Sequence, residues 1–421
     1  MNKHQIVIIG AGTGGITVAA QLLNKNKNLD VAIVDPKETH DYQPAWTLVG
    51  ADTYDMEKTK RPQKDFIPNG AKWIREYVTA IDADNNQIEL KNGDHLSYDY
   101  LVVAPGLVND LDGVEGLSEA LQTDSVCSNY IDPEKTREVL KNFKGGNALF
   151  TQPTTPIKCG GAPQKIMYLA ADYFRKNKLS DKTQVTFATP GSVIFGVKVF
   201  ADELLRVIDK YKINVKFHLQ LYKIDGQAKK AYYKLSESKQ VVAEKEINAF
   251  DTNVEFIDDK TVALPYDMLH LAPPQKAPEF VSNSKIAHAE GGNKGWANVN
   301  KHSLQNPDFP NVFAVGDVAA LPTAKTGAAV RKQAPVVVDN LLKLIAGNTA
   351  DNKDYQGYSS CPLITGYGKM LLAEFGYDNK RMSDPLISTF VDTTKEKYSM
   401  WLLKKYALPF MYWNFMLKGK A

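Results

Sequence analysis

The chain has 421 residues, 43% of them apolar and 24% charged, which fits a globular protein of two or three domains. Its 51 basic and 48 acidic residues leave a net charge of +3, too even for a dedicated nucleic-acid binder, which needs a basic face. Three cysteines cannot build a disulfide scaffold, and no run of about 18 apolar residues is present to span a membrane, so any membrane contact is expected to be peripheral or monotopic.

Residues 5–9 read as a buried parallel strand, followed at once by Gly10-Ala11-Gly12-Thr13-Gly14-Gly15 and a helix over residues 16–23. In that setting Gly10 permits the tight turn, Gly12 lets backbone approach a pyrophosphate, and Gly15 allows close helix–strand packing. The helix N-terminus then offers free N–H groups to phosphates. A second strand over residues 30–34 ends in Asp35, placed to accept hydrogen bonds from ribose hydroxyls. Two later apolar strands end in Ala104-Pro105-Gly106 and in Gly316-Asp317.

A strand at 147–150 starts a second domain, but its turn, residues 151–161, lacks the three-glycine spacing and carries prolines and Cys159. The next strand, 184–188, ends in Thr189-Pro190-Gly191, with no acid for a ribose. Helices at 163–177 and 198–211 keep the frame, so this domain is expected to have lost NAD binding. Residues 219–262 alternate apolar and polar side chains around Asp225-Gly226, predicting an antiparallel meander. The seven histidines show no metal-ligand spacing, and no metal is expected. In residues 398–417 seven of twenty side chains are aromatic, and Pro409 is expected to divide the stretch into two short helices. Residues 395–421 hold six lysines against one acid, which predicts an interfacial segment on a membrane surface.

The Ala104-Pro105-Gly106 and Gly316-Asp317 ends resemble those of two-dinucleotide-domain flavoprotein reductases, with Pro105 where that family has Thr. The whole chain resembles the sulfide:quinone oxidoreductases, and more closely the branch that includes the mitochondrial enzyme. Residues 42–50 carry the resemblance, with the Ile157-Lys158-Cys159 loop, Phe195-Gly196-Val197-Lys198, the Gly316-Asp317 turn, the Cys361 loop and Pro409-Phe410-Met411-Tyr412-Trp413-Asn414.

The resemblance implies an α/β fold of two Rossmann-like, glutathione-reductase-like domains with a C-terminal amphipathic membrane-contact region. Its FAD domain comprises 1–110 and 291–350, the second domain 111–290, and the C-terminal region 351–421. FAD is then held by Gly10, Gly12, Thr13, Gly14, Gly15, Asp35, Gln43, Val78, Ala104, Gly106, Gly316, Asp317 and Lys325. Cys159 and Cys361 are implied as the catalytic pair, joined directly or through an extra sulfur. Hydrosulfide attacks Cys361 to give a persulfide, Cys159 leaves as a thiolate, and a quinone is the final oxidant. Lys158, beside Cys159, is a candidate to favour that thiolate. Cys127 matches the region of a third cysteine in bacterial relatives and is otherwise a core or surface thiol.

The sulfur acceptor (sulfite, glutathione, cyanide or more sulfide) and a homo-oligomeric state stay open. So do three competing functions: a type II NADH:quinone dehydrogenase, the flavin subunit of a flavocytochrome sulfide dehydrogenase, and a non-catalytic sulfide-sensing flavoprotein. The early first strand leaves no visible signal or transit peptide, and this predicts a prokaryotic inner membrane.

Overall fold

The computed structural model describes residues 2–237, 254–348 and 354–420. The 238–253 part of the expected meander and the boundary expected between 350 and 351 lie outside the described residues.

The first sheet is built on β1 (Asn2–Ile9), which leads through α1 (Thr13–Lys25) to β2 (Val31–Val34). It continues with β3 (Ala71–Ile74), the hairpin β4 (Val78–Asp82) and β5 (Gln87–Leu90), and the long β6 (His95–Val103). The spatial order is β3-β2-β1-β6-β5-β4. The amino-terminal half of β6 pairs with β5, and its carboxyl end, Leu101 to Val103, pairs in parallel with the late strand Val312–Ala314. Ile6, Val7 and Ile8 are wholly buried, as an unbroken apolar run must be when both faces of a parallel sheet are covered.

A second parallel sheet follows the order β7-β15-β8-β9-β10. Its strands are β7 (Val126–Cys127), β8 (Gly146–Thr151), β9 (Thr183–Ala188), β10 (Asn214–Lys216) and, after the meander, β15 (Met268–Leu271). α2 (Ala162–Lys176) and α3 (Lys198–Tyr211) fill the predicted helical spans within a residue. The meander is a four-stranded antiparallel sheet: β11 (Leu219–Asp225), β12 (Lys230–Leu235), β13 (Glu255–Phe256) and β14 (Thr261–Pro265). Ala277, Val281 and Ile286 pack with Ile81 and Leu101, so the chain is back on the first sheet's face before the expected residue 291.

Past α4 (Gly327–Ile345), a hairpin of Ser359–Gly366 and Lys369–Phe375 carries Cys361 against α2. The tail corrects one expectation, because Pro409 does not divide it. Tyr398–Leu402, Leu403–Ala407 and Leu408–Asn414 run on in helical backbone, the middle segment as a π turn. The wider turn relieves the clash between the proline ring and the preceding carbonyls and needs no N–H from Pro409. Among the described residues no helix is long and apolar enough to cross a membrane.

Candidate active site

Three chain segments meet at the carboxyl end of the first sheet. A Cβ on Gly10 (φ 96°) would lie 2.5 Å from the Ala104 carbonyl oxygen, and one on Gly15 only 1.8 Å from that of Gly10. Gly14 faces Ala104 and Val315 at contact distance, so the glycine turn, Ala104-Pro105-Gly106 and Val315-Gly316-Asp317 form one cradle. By contrast, a Cβ on Gly12 or Gly106 would meet nothing within 4 Å. Asp35 ends β2 and accepts from the N–H groups of Ala11 (2.7 Å) and Lys37 (2.8 Å), which fixes its carboxylate beside the turn. The Gly316 N–H donates to Gln333 (2.9 Å), and burial raises the Asp317 carboxyl above its ordinary value. This arrangement fits a dinucleotide: backbone donors at a helix start, an acid at the neighbouring strand end, and space over the glycines.

Lys325 is no solvated lysine. Its ammonium donates to the carbonyls of Asp317 (2.6 Å) and Ala319 (3.1 Å) and lies 4.0 Å from the centre of the Trp296 ring. Burial pulls it down to about 8. Gln43 accepts from Lys158 Nζ (2.5 Å), and Lys158 also lies over the ring of Trp46. The indole nitrogen of Trp46 is buried and finds no partner among the described residues, a donor directed at nothing the protein supplies. Val78 takes a different place, half-buried at the start of β4 against the core that holds Ile9, Val34 and Val103.

The second turn ends at Cys159, whose φ of 52° is left-handed and strained for a side chain with a Cβ. The turn is held from several sides. Its N–H donates to the Lys325 carbonyl (2.7 Å), and its own carbonyl accepts from Ala162 N–H (2.7 Å) and the Tyr130 hydroxyl (3.3 Å). Cys361 comes in from the hairpin, 3% exposed, and a Cβ on Gly161 would lie 2.6 Å from its sulfur. Both cysteines are free in this structure. The bond from Cys361, aided by the Lys165 ammonium 2.8 Å from the Cys159 sulfur, holds Cys159 well below the usual thiol range despite burial. Cys361, as the donor to Cys159 and itself buried, is pushed well above that range. The two sulfurs are thus driven apart in acidity, with the Lys165 ammonium placed to favour charge on Cys159.

Lys158 does not have the thiolate role that its sequence position suggested, because its side chain turns away to Gln43 and Trp46. Lys165 has it, one turn into α2 and 3% exposed. A second unforeseen cation is Lys404 of the tail, equally buried, whose Nζ donates to the Pro44 carbonyl (2.8 Å) and whose charge acts on both cysteines. Burial, with the nearby Lys165, pulls Lys404 down to about 7. A signal for Lys165 existed: a lysine in a first helical turn opposes the helix dipole and needs an anion nearby. Cys127 is wholly buried in the core that also holds Leu48, Ala51 and Phe150, with burial raising its thiol to about 12. Among the described residues no cluster of His, Cys, Asp and Glu could hold a metal.

Residues 4–137 match the family described as pyridine nucleotide-disulphide oxidoreductase. The chain is 39% identical over 420 residues to the mitochondrial sulfide:quinone oxidoreductase of Mus musculus, spanning 99% of this chain and 87% of that protein. The chain belongs to the sulfide:quinone oxidoreductase family. It is 40% identical to the mitochondrial sulfide:quinone oxidoreductase of Dictyostelium discoideum, over 100% of this chain and 87% of that one. The solved sulfide:quinone oxidoreductase of Aquifex aeolicus shares the fold, with a TM-score of 0.79 at 20% identity over 100% of this chain and 92% of that one. The chain is thus an oxidoreductase of the flavoprotein type with a Rossmann-type fold. These relatives overturn one expectation: they are mitochondrial proteins of eukaryotes and point to the mitochondrial membrane, not a prokaryotic inner membrane.

Proposed function

We propose that the chain oxidises sulfide at Cys159 and Cys361, with FAD as its flavin and a membrane quinone as electron acceptor. The observation that carries this reading is the meeting of Cys159 and Cys361, with the Lys165 ammonium 2.8 Å from the Cys159 sulfur and the Cys159 N–H bonded to Lys325, which itself reaches the Gly316-Asp317 turn. In the resting state the two cysteines are joined. Hydrosulfide attacks the Cys361 sulfur, the bond to Cys159 breaks, and the sulfide becomes the outer sulfur of a Cys361 persulfide. Cys159 leaves as a thiolate, and Lys165 lowers the energy of that leaving group. A nucleophile (sulfite, glutathione or sulfide) removes the sulfane sulfur and frees Cys361. FAD, held by the Gly10–Gly15 turn, Asp35, the 104–106 and 316–317 ends and Lys325, would take the two electrons released as the pair closes and pass them to quinone.

The tail supports a membrane site for the quinone. Tyr398, Leu402, Tyr406, Phe410 and Phe415 are exposed on its outer side, beyond what a solvent-facing helix shows. The lipid-facing charge is not Lys404, which points inward, but exposed Lys420 and half-buried Lys405.

Anaerobic stopped-flow absorbance tests the reading. Sulfide should bleach the flavin, Cys159→Ser and Cys361→Ser should not respond, NADH should do nothing, and added quinone should restore the oxidised spectrum. Reduction by NADH, with both variants behaving as wild type, replaces it with the NADH dehydrogenase reading.

A further inference from the structure

We propose that the tail helix is a clasp on the nucleotide-binding turn, with Tyr412 as its positioning residue, so that seating the tail and holding the dinucleotide favour one another. This rests on the reading of residues 10–15 as the FAD turn.

Tyr412 is 6% exposed and reaches the first domain across almost the full length of the chain. Its hydroxyl lies 2.8 Å from Oγ1 of Thr13, the first residue of α1, and 2.6 Å from Nε2 of His40. The other ring nitrogen of His40 faces two oxygens, the Ala11 carbonyl and Gln63 Oε1, each at 3.2 Å. Both can only accept, so Nδ1 carries the proton and Nε2 accepts from Tyr412. The Tyr412 oxygen in turn accepts from the Thr13 hydroxyl. One chain of hydrogen bonds thus runs Thr13 to Tyr412 to His40 to Ala11, beginning and ending within the glycine turn. Burial keeps His40 neutral, which preserves that direction.

Two more contacts fasten the tail to the same domain. The Tyr412 ring lies 4.6 Å from that of Tyr42, which precedes Gln43. Gly419 (φ 69°) is so close to α1 that a Cβ would stand 2.8 Å from backbone atoms of Ala20 and Gln21. When the tail lifts, Thr13 loses its partner at the first turn of the helix that faces the phosphates. By linkage, whatever FAD gains from a seated tail, the tail gains from bound FAD.

FAD titration of the apoprotein, followed by flavin fluorescence, tests this on wild type, Tyr412→Phe, Thr13→Ala, the double variant and Gly12→Val. Tyr412→Phe keeps the ring but leaves His40 Nε2 and Thr13 without their partner, so the FAD-free variant should melt only a few degrees below wild type. Its FAD dissociation constant should rise roughly five- to tenfold, the worth of one or two buried hydrogen bonds. On the Thr13→Ala background the same change should add less than about twofold, since the pair acts as one unit. Limited proteolysis should cut the tail more slowly once FAD is added to wild type, and this protection should shrink in Tyr412→Phe. The clasp is overturned if Tyr412→Phe binds FAD as wild type does, if the two losses multiply, or if FAD leaves tail cleavage unchanged. Gly12→Val separates the two ideas. It should abolish FAD binding, and if it binds normally the turn itself has been misread and the clasp falls with it.

Discussion

The molecule holds two strand-to-helix turns in equivalent places, one after β1 at residues 10–15 and one after β8 at residues 152–161. Each ends a central parallel strand and opens a helix whose free N–H groups and dipole favour an anion. The first meets that preference with glycines, which keep side chains out of the way. The second meets it with a side chain of its own: Cys159, strained at φ 52°, brings to the helix start a sulfur whose acidity is raised. On the proposed reading, the frame of a nucleotide site thus carries redox chemistry without a change of topology. The difference lies in which anion the turn is built around, one arriving from outside or one built into the chain.

Substitutions can break the two turns separately. The largest effect is expected for Cys361→Ser, which should slow sulfide-driven flavin bleaching by at least ~1000-fold in stopped flow, because the electrophilic sulfur is gone. Flavin content should not change. Next come matched glycine changes. Gly15→Ala drives a Cβ to 1.8 Å from the Gly10 carbonyl and should cost about 3 kcal/mol of stability in denaturant titration, with loss of FAD. Gly161→Ala puts its Cβ 2.6 Å from the Cys361 sulfur, so it should separate the thiols and abolish sulfide turnover while FAD stays bound.

A smaller effect is expected for Lys165→Met. The Cys159 thiol, now below its usual range, should rise, and iodoacetamide alkylation of the reduced protein at pH 7 should slow roughly tenfold with a higher pH midpoint. The smallest is Lys404→Met. Burial holds Lys404 at about 7, below its ordinary value near 10.5, so between those values the unfolded chain binds a proton that the folded one does not. Wild-type stability should therefore gain from this group as pH rises from about 7 toward 10.5. The melting temperature of the methionine variant should exceed that of wild type most at pH 6 and lose that margin by pH 10.

What the chain discloses by reading follows the range of the interaction concerned. The Gly10–Gly15 turn, Asp35 and the helices at 162 and 198 are encoded by neighbours a few residues apart, so period and spacing reveal them. Cys159 and Cys361 become a pair only through the hairpin that carries Cys361 to α2, and no local pattern shows that, so likeness to a family had to stand in for it. Lys165 and Lys404 stayed hidden because a lysine looks solvated until the fold shows what it faces. The early first strand misled about the membrane, since a sequence's first residues need not record where its relatives reside.

The π turn at Leu403–Ala407 has a consequence for the tail. Its inward residues step from Met400 to Lys404 by four, then from Lys404 to Pro409 by five, then on to Tyr412 and Met416. The wide turn absorbs the extra residue, so it works as a phase corrector between two lengths of helix. Winding residues 403–407 as regular α-helix with every residue kept would rotate everything beyond them by about 100°. Lys404 would keep its bond to the Pro44 carbonyl, while Tyr412 would swing away from His40 and the outward stripe would fall out of line at Phe410. That single inserted residue lets one helix present a cation to the Pro44 carbonyl, a hydroxyl to Thr13 and His40 and an unbroken greasy edge to its surroundings.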